Sequence, residues 1–265
     1  MIGIQRELLS SIEIMNLRED VEKALADLPK KNKIVVVTGD SWSAGEWDES
    51  KEDSFQWRSE HSIGGYLEYY KDFTIISLPN PGWDDLESCV VVKQFYDLAD
   101  YIIFFKTCGL RSFQLEDHPT RPNKYGFSQE NFKEYDLFSQ GLIANEFTYD
   151  LLEVWQSKLI LIGGLVKIGG KGLALKTIFT LPSVAEFFDS SYVDTQVFGW
   201  ESMWEYYKDF VKGDKAKRDS LLKLMDIFAN KKKYMRSRPD LYWPDGKHPN
   251  ATAHKKLAEY IAGKI

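Results

Sequence analysis

Ser41, Asp245 and His248 are the residues whose types and spacing suit nucleophilic chemistry. A serine hydroxyl is a weak nucleophile. It needs a base within hydrogen-bond reach, and the base needs a third group to fix its tautomer. Asp245-Gly-Lys-His248-Pro249 offers acid and base together, because a spacing of three lets the carboxylate fold back on the imidazole of its own turn. Pro249 is expected to start the following helix, where its missing N–H is no loss. Gly39-Asp40-Ser41 stands at the C-terminal edge of an apolar run, the place where open parallel sheets present reactive groups. Each motif has a plainer reading, as an Asp-Ser cap or an Asp-Gly turn before a helix. In this order, at opposite ends of one domain, the two predict a serine hydrolase. The base acts as neutral imidazole, so activity should rise with pH as that form is populated.

The elements that must position these residues are legible as apolar, β-branched runs at 34–38, 73–78, 101–105 and 159–163. Helical periodicity fills 57–71 and 84–99, with Asp84 and Asp85 placed to cap the second helix. Strands alternating with helices predict an α/β chain, a three-layer α/β/α sandwich around a central parallel sheet with right-handed crossovers. A fifth strand falls at either 175–180 or 191–197. Further helices are expected at 128–138, 143–156, 199–211, 215–233 and 250–263. The whole of 1–265 reads as a single domain, with a helical N-terminal extension (1–30) and helical insertions at 111–157 and 164–235.

A strand followed by Gly-Asp-Ser near the start, with Asp-x-x-His-Pro near the end, resembles the SGNH, or GDSL, hydrolase family. DGKHPNATAHKKLAEYI (245–261) is similar to that family's C-terminal block over its length. KIVVVTGDSWSAGEW (33–47) matches at the nucleophile but carries Trp42 where the family has Leu. With Gly45-Glu46-Trp47 behind it, this version resembles a divergent branch associated with phage-type proteins. The similarity covers 33–110 and 240–263.

The resemblance implies a flavodoxin-like SGNH hydrolase fold and an oxyanion hole built from the N–H groups of Ser41 and Gly82. The family's third block, Gly-x-Asn-Asp, supplies an Asn side chain as a further donor. Here that position falls on Cys108, a poor donor. Loss of one such donor typically costs about a hundred- to a thousand-fold in turnover. Thr107, Asn80 or Arg111 could take its place; otherwise the enzyme is slow, or the site binds without turning over. The implied reaction is hydrolysis of a small acyl ester, such as acetyl on a glycan, through an acyl-enzyme on Ser41. The rival is a catalytically degenerate binding or structural module that recognises a glycan. A flavodoxin-like nucleotide binder is disfavoured, because it leaves Asp-x-x-His-Pro without a purpose.

The partner that the resemblance implies is a small-molecule or glycan ester, and composition disfavours other partners. A net charge of −6 provides no basic field for phosphate backbones, so no nucleic acid is expected. The Lys231-Lys232-Lys233 run with Arg236 and Arg238 suits the end of a helix. Cys89 and Cys108 read as buried thiols. No metal is expected: His254 lies six residues from His248, off its helical face, and His61 and His118 lack partner spacing. No cofactor is expected either, since GGLVKIGGKG (163–172) does not have Walker A spacing. The first twenty residues read as an amphipathic helix rather than a signal peptide, and LILIGGLVKIGG (159–170) is too broken to span a bilayer. A cytoplasmic protein without a membrane partner is expected. Trp42, Trp47 and Trp83 flank the nucleophile and the second block, so they line the substrate cleft or else fill the core beneath the sheet edge. The rings of 198–210 read as a core face and Glu46 as an exposed carboxylate.

Overall fold

The computed structural model describes residues 2–3, 11–27, 33–45, 55–80, 83–107, 148–163, 175–181, 184–188, 233–243 and 248–265. Its strands, in chain order, are β1 (Ile2–Gly3), β2 (Lys33–Thr38), β3 (Phe73–Ser77), β4 (Tyr101–Lys106), β5 (Leu159–Gly163) and β6 (Phe179–Leu181). They form one sheet in the order β1-β3-β2-β4-β5-β6, and every pairing is parallel. Without the short β1, the order is that of a doubly wound, flavodoxin-like sheet, whose winding reverses between β2 and β4. Ligand crevices in such sheets open at the C-terminal ends of the strands flanking that reversal. Ser41 lies there.

The four central strands are rich in Val, Ile and Phe because both of their faces are buried. Side chains alternate between two cores. Val35, Val37, Ile103 and Phe105 face Leu67 of α3 (Ile63–Tyr70) and Leu257 and Ile261 of the C-terminal helix (Ala251–Ala262). Val36, Ile102 and Phe104 face the opposite layer, made by α1 (Ser11–Ala26), α4 (Asp85–Phe95) and helical residues 148–155. Burying each such side chain stabilises the fold by about 1.5–3 kcal/mol. The architecture is therefore three-layer α/β/α.

Several local features differ from the sequence reading. The single helix expected over 57–71 is two helices, α2 (Phe55–Glu60) and α3. The break falls at Ser62, which is extended and whose hydroxyl accepts the Gly65 N–H at 3.2 Å, so a residue inside the expected helix caps a new one. The N-terminal segment is not an appendage. Ile2–Gly3 pairs with β3, and Leu17 and Val21 of α1 are buried in the core. Arg18 fastens α1 to α4 through Asp97 at 2.7 and 2.9 Å and through the Gln94 carbonyl.

The region 164–235, read as a helical insertion, contains strand β6, which pairs with β5. It falls near the first of the two expected positions, and 191–197 lies outside the described residues. The helices expected at 128–138, 199–211 and most of 215–233 also lie outside them. Asp84 does cap α4, in a reciprocal capping box with Glu87. Cys89 is a buried free thiol, raised well above its ordinary pKa by burial. No helix among the described residues is long and apolar enough to cross a membrane.

Candidate active site

Strand β2 ends at a backbone position that only glycine fits. Gly39 has φ +141°, and a Cβ there would stand 2.5 Å from the Phe105 Cβ and 2.7 Å from the Ser43 hydroxyl. The chain then closes a tight turn around Asp40. Its carboxylate accepts the Trp42 N–H at 2.8 Å, and its carbonyl accepts the Ser43 N–H at 3.0 Å and the Ala44 N–H at 3.2 Å. Ser41, 6% exposed, is carried on this turn at the sheet's C-terminal rim. Among the described residues its own N–H has no acceptor. The loop leaving β3 is tied to the same turn, because the Asn80 N–H donates to the Gly39 carbonyl at 3.0 Å.

The second half of the site comes from the segment before the C-terminal helix. Tyr242 and Pro249 form an antiparallel bridge, the Trp243 N–H donates to the His248 carbonyl at 3.0 Å, and the Asn250 N–H donates to the Leu241 carbonyl at 2.9 Å. Asn250 also caps the helix, accepting the Ala253 N–H at 3.0 Å, while its amide donates to the Pro239 carbonyl at 3.2 Å. Pro249 thus precedes the cap instead of opening the helix, because the bridge holds it in extended backbone. These ties fix His248, and its Nε2 lies 3.0 Å from the Ser41 Oγ. The Trp42 and Tyr242 rings, 6.4 Å apart, pack the two halves together.

Of the residues expected to act, the structure brings Ser41 and His248 into contact. Asp245, Gly82, Arg111, Cys108, Trp47 and Glu46 lie outside the described residues. The Thr107 N–H donates to Asp85 Oδ1 at 2.7 Å. Trp42 and Trp83, read as cleft walls or core, are 2% and 5% exposed and pack in the cores on opposite faces of the sheet.

Two buried features were not anticipated. His254 is 1% exposed on the apolar face of the C-terminal helix, and neither ring nitrogen has a partner among the described residues. Burial lowers its pKa to about 3, with a further push from His248. Its spacing from Leu257, Ala258 and Ile261 was the available signal. The other is a buried ion pair, Lys106 with Asp85 at 2.8 Å, signalled by a lone lysine ending an apolar strand. Burial raises the Asp85 carboxyl above the ordinary aspartate value, against the pull of the ammonium and the Thr107 N–H. Among the described residues no cluster of three or more His, Cys, Asp or Glu side chains could hold a metal.

No family model matches the chain, and no curated protein matches it. Solved structures do. A lipase/acylhydrolase from Enterococcus faecalis is 14% identical, with a TM-score of 0.39, over 88% of this chain and 95% of its own. A psychrotrophic esterase from a Pseudoalteromonas species is 9% identical, with a TM-score of 0.38, over 88% and 97%. A Parabacteroides merdae protein described as a GDSL-like lipase is 11% identical, with a TM-score of 0.34, over 90% and 99%.

Proposed function

We propose that this protein is a serine esterase acting through an acyl-enzyme on Ser41. The observation that carries the reading is the 3.0 Å contact between Ser41 Oγ and His248 Nε2. With the ring proton on Nδ1, the Ser41 hydroxyl donates to Nε2 and loses its proton there as Oγ attacks the ester carbon. The imidazolium then protonates the departing alcohol. Water, deprotonated by the same nitrogen, releases the acid and restores Ser41.

Asp245 is assigned the role of holding Nδ1–H. It lies three residues before His248 in the sequence, between Trp243 and His248, whose backbones are hydrogen-bonded to each other. The oxyanion donors are assigned to the N–H groups of Ser41 and Gly82. In place of the amide that Cys108 lacks, Asn80 is the favoured third donor, through its side chain, because its backbone is bonded to Gly39 beside Ser41. The substrate class, a small acyl ester such as acetyl on a glycan, rests on the resemblance of the two sequence blocks.

Hydrolysis of an activated acetyl ester by the wild type and by Ser41→Ala tests the reading. Activity confined to the wild type is expected. Equal rates would remove Ser41 as nucleophile and favour the glycan-recognising module, for which Cys108 speaks. Cys108→Asn should raise the rate if the missing donor limits it.

A further inference from the structure

We infer that Trp42 and Tyr242 are a positioning pair that sets the distance between Ser41 and His248, an inference that rests on the esterase reading. Ser41 Oγ and His248 Nε2 stand 3.0 Å apart although 207 residues separate them in the chain. A displacement of about 1 Å between two reacting groups can cost about a hundred-fold in rate. Segments so distant in sequence need a rigid contact between them to hold such a spacing.

Each ring is fastened to its own half of the site. Trp42 follows Ser41 directly, and its N–H donates to the Asp40 carboxylate at 2.8 Å, so the turn that carries Ser41 carries this ring too. Tyr242 is bridged to Pro249, the residue after His248, and its N–H donates to the Arg238 carbonyl at 2.9 Å. The next residue, Trp243, donates its N–H to the His248 carbonyl at 3.0 Å. A shift of the Tyr242 backbone therefore moves His248 with it. The Tyr242 ring is itself wedged: Tyr234 lies 6.3 Å from it at 64°, and Phe188 lies 6.5 Å from it at 89°. Against this fixed ring Trp42 packs at 6.4 Å and 57°, and both side chains are buried in the core that faces the C-terminal helix. Close-packed rings yield little, because moving either one opens a void or forces strain. The Trp42–Tyr242 separation is thus transmitted to Ser41 at one end and to His248 at the other. Both rings act through the backbone of their neighbours in the chain.

The test is the rate at which a fluorophosphonate labels Ser41 in wild type, Trp42→Leu, Tyr242→Leu and the double variant, each assayed well below its thermal midpoint. Each single variant should label about 10- to 100-fold more slowly, and kcat on an acetyl ester should fall by a similar factor with KM unchanged. The double variant should label no more slowly than the slower single variant, because both substitutions break one contact. Trp42→Phe keeps a ring but shortens the contact, and should be slowed only about 3- to 10-fold. Folded leucine variants that label at the wild-type rate overturn the inference alone, and so does a double variant whose slowing is the product of the two single effects. A raised KM with kcat kept makes Trp42 a wall of the cleft and overturns it too. If the leucine variants fail to fold, Trp42→Phe decides: slowed labelling supports the pair, and labelling at the wild-type rate overturns it. A wild type unlabelled at Ser41 overturns the esterase reading and this inference with it.

Discussion

Gly39 packs so closely on Phe105 that a Cβ on the glycine would stand 2.5 Å from the Phe105 Cβ, at a backbone φ of +141°. The turn that carries Ser41 can leave β2 only because this residue has no side chain. Gly39→Ala must either push β4 away or change φ. It should lose about 2–4 kcal/mol of stability, read by urea denaturation, and nearly all activity. An alanine variant with wild-type stability would contradict the packing described.

Asn250 does three things at once: it caps the C-terminal helix, bonds the Leu241 carbonyl and reaches the Pro239 carbonyl. The first and third depend on its side chain. Asn250→Ala should cost about 1–2 kcal/mol, as a lost cap does. Since the same residue fixes the segment carrying His248, kcat should drop by more than the stability loss alone accounts for. Asn250→Asp keeps the cap, and should restore stability while losing the bond to Pro239.

The orphaned imidazole of His254 makes the fold acid-sensitive. Its pKa is about 3 when folded, against an ordinary 6.5. Between those values the unfolded chain binds a proton that the folded chain refuses, so stability falls as the pH drops through this window. The slope from this group is at most about 1.4 kcal/mol per pH unit, and it vanishes above the window. His254→Leu should flatten the dependence between about pH 6 and pH 4 and leave neutral stability no worse, because no ring hydrogen bond is lost. Identical slopes in urea titrations of the two proteins would contradict this.

Not every close ion pair matters equally. Arg18 holds Asp97 at 2.7 and 2.9 Å and lowers that carboxyl to about 2, yet Asp97 is 65% exposed. Asp97→Asn should cost under about 1 kcal/mol, and less at high salt. A larger loss would mean that the α1–α4 contact carries more of the fold than its apolar residues do.

The legible parts of the fold were those governed by strong local patterns. The runs that became β2 to β5 are buried on both faces, so each reads as continuous β-branched or aromatic sequence. Ile2–Gly3 has no pattern of its own, and its strand exists only because β3 offers a free edge. The helix break at Ser62 was hidden because a serine fits both a helix interior and a cap, and the backbone decides between them. That Ser41 and His248 would meet was legible because both flank strong punctuation, a Gly-Asp turn and a His-Pro step. Trp42 and Trp83 were ambiguous for a different reason: residue type does not say which side of a rim a ring faces. Lys106 and His254 were hidden because charge and polarity ordinarily mean exposure.

The contact between a hydroxyl and an imidazole 207 residues apart in the chain is what the hydrolase account stands on. Its most direct measurement is peptide mapping after exposure to a fluorophosphonate, on wild type, Ser41→Ala and His248→Ala. The account predicts one adduct on the wild-type peptide containing Ser41, none there in Ser41→Ala, and labelling slowed by orders of magnitude in His248→Ala. Labelling at Ser41 that is indifferent to His248, or an adduct on another residue only, would contradict it.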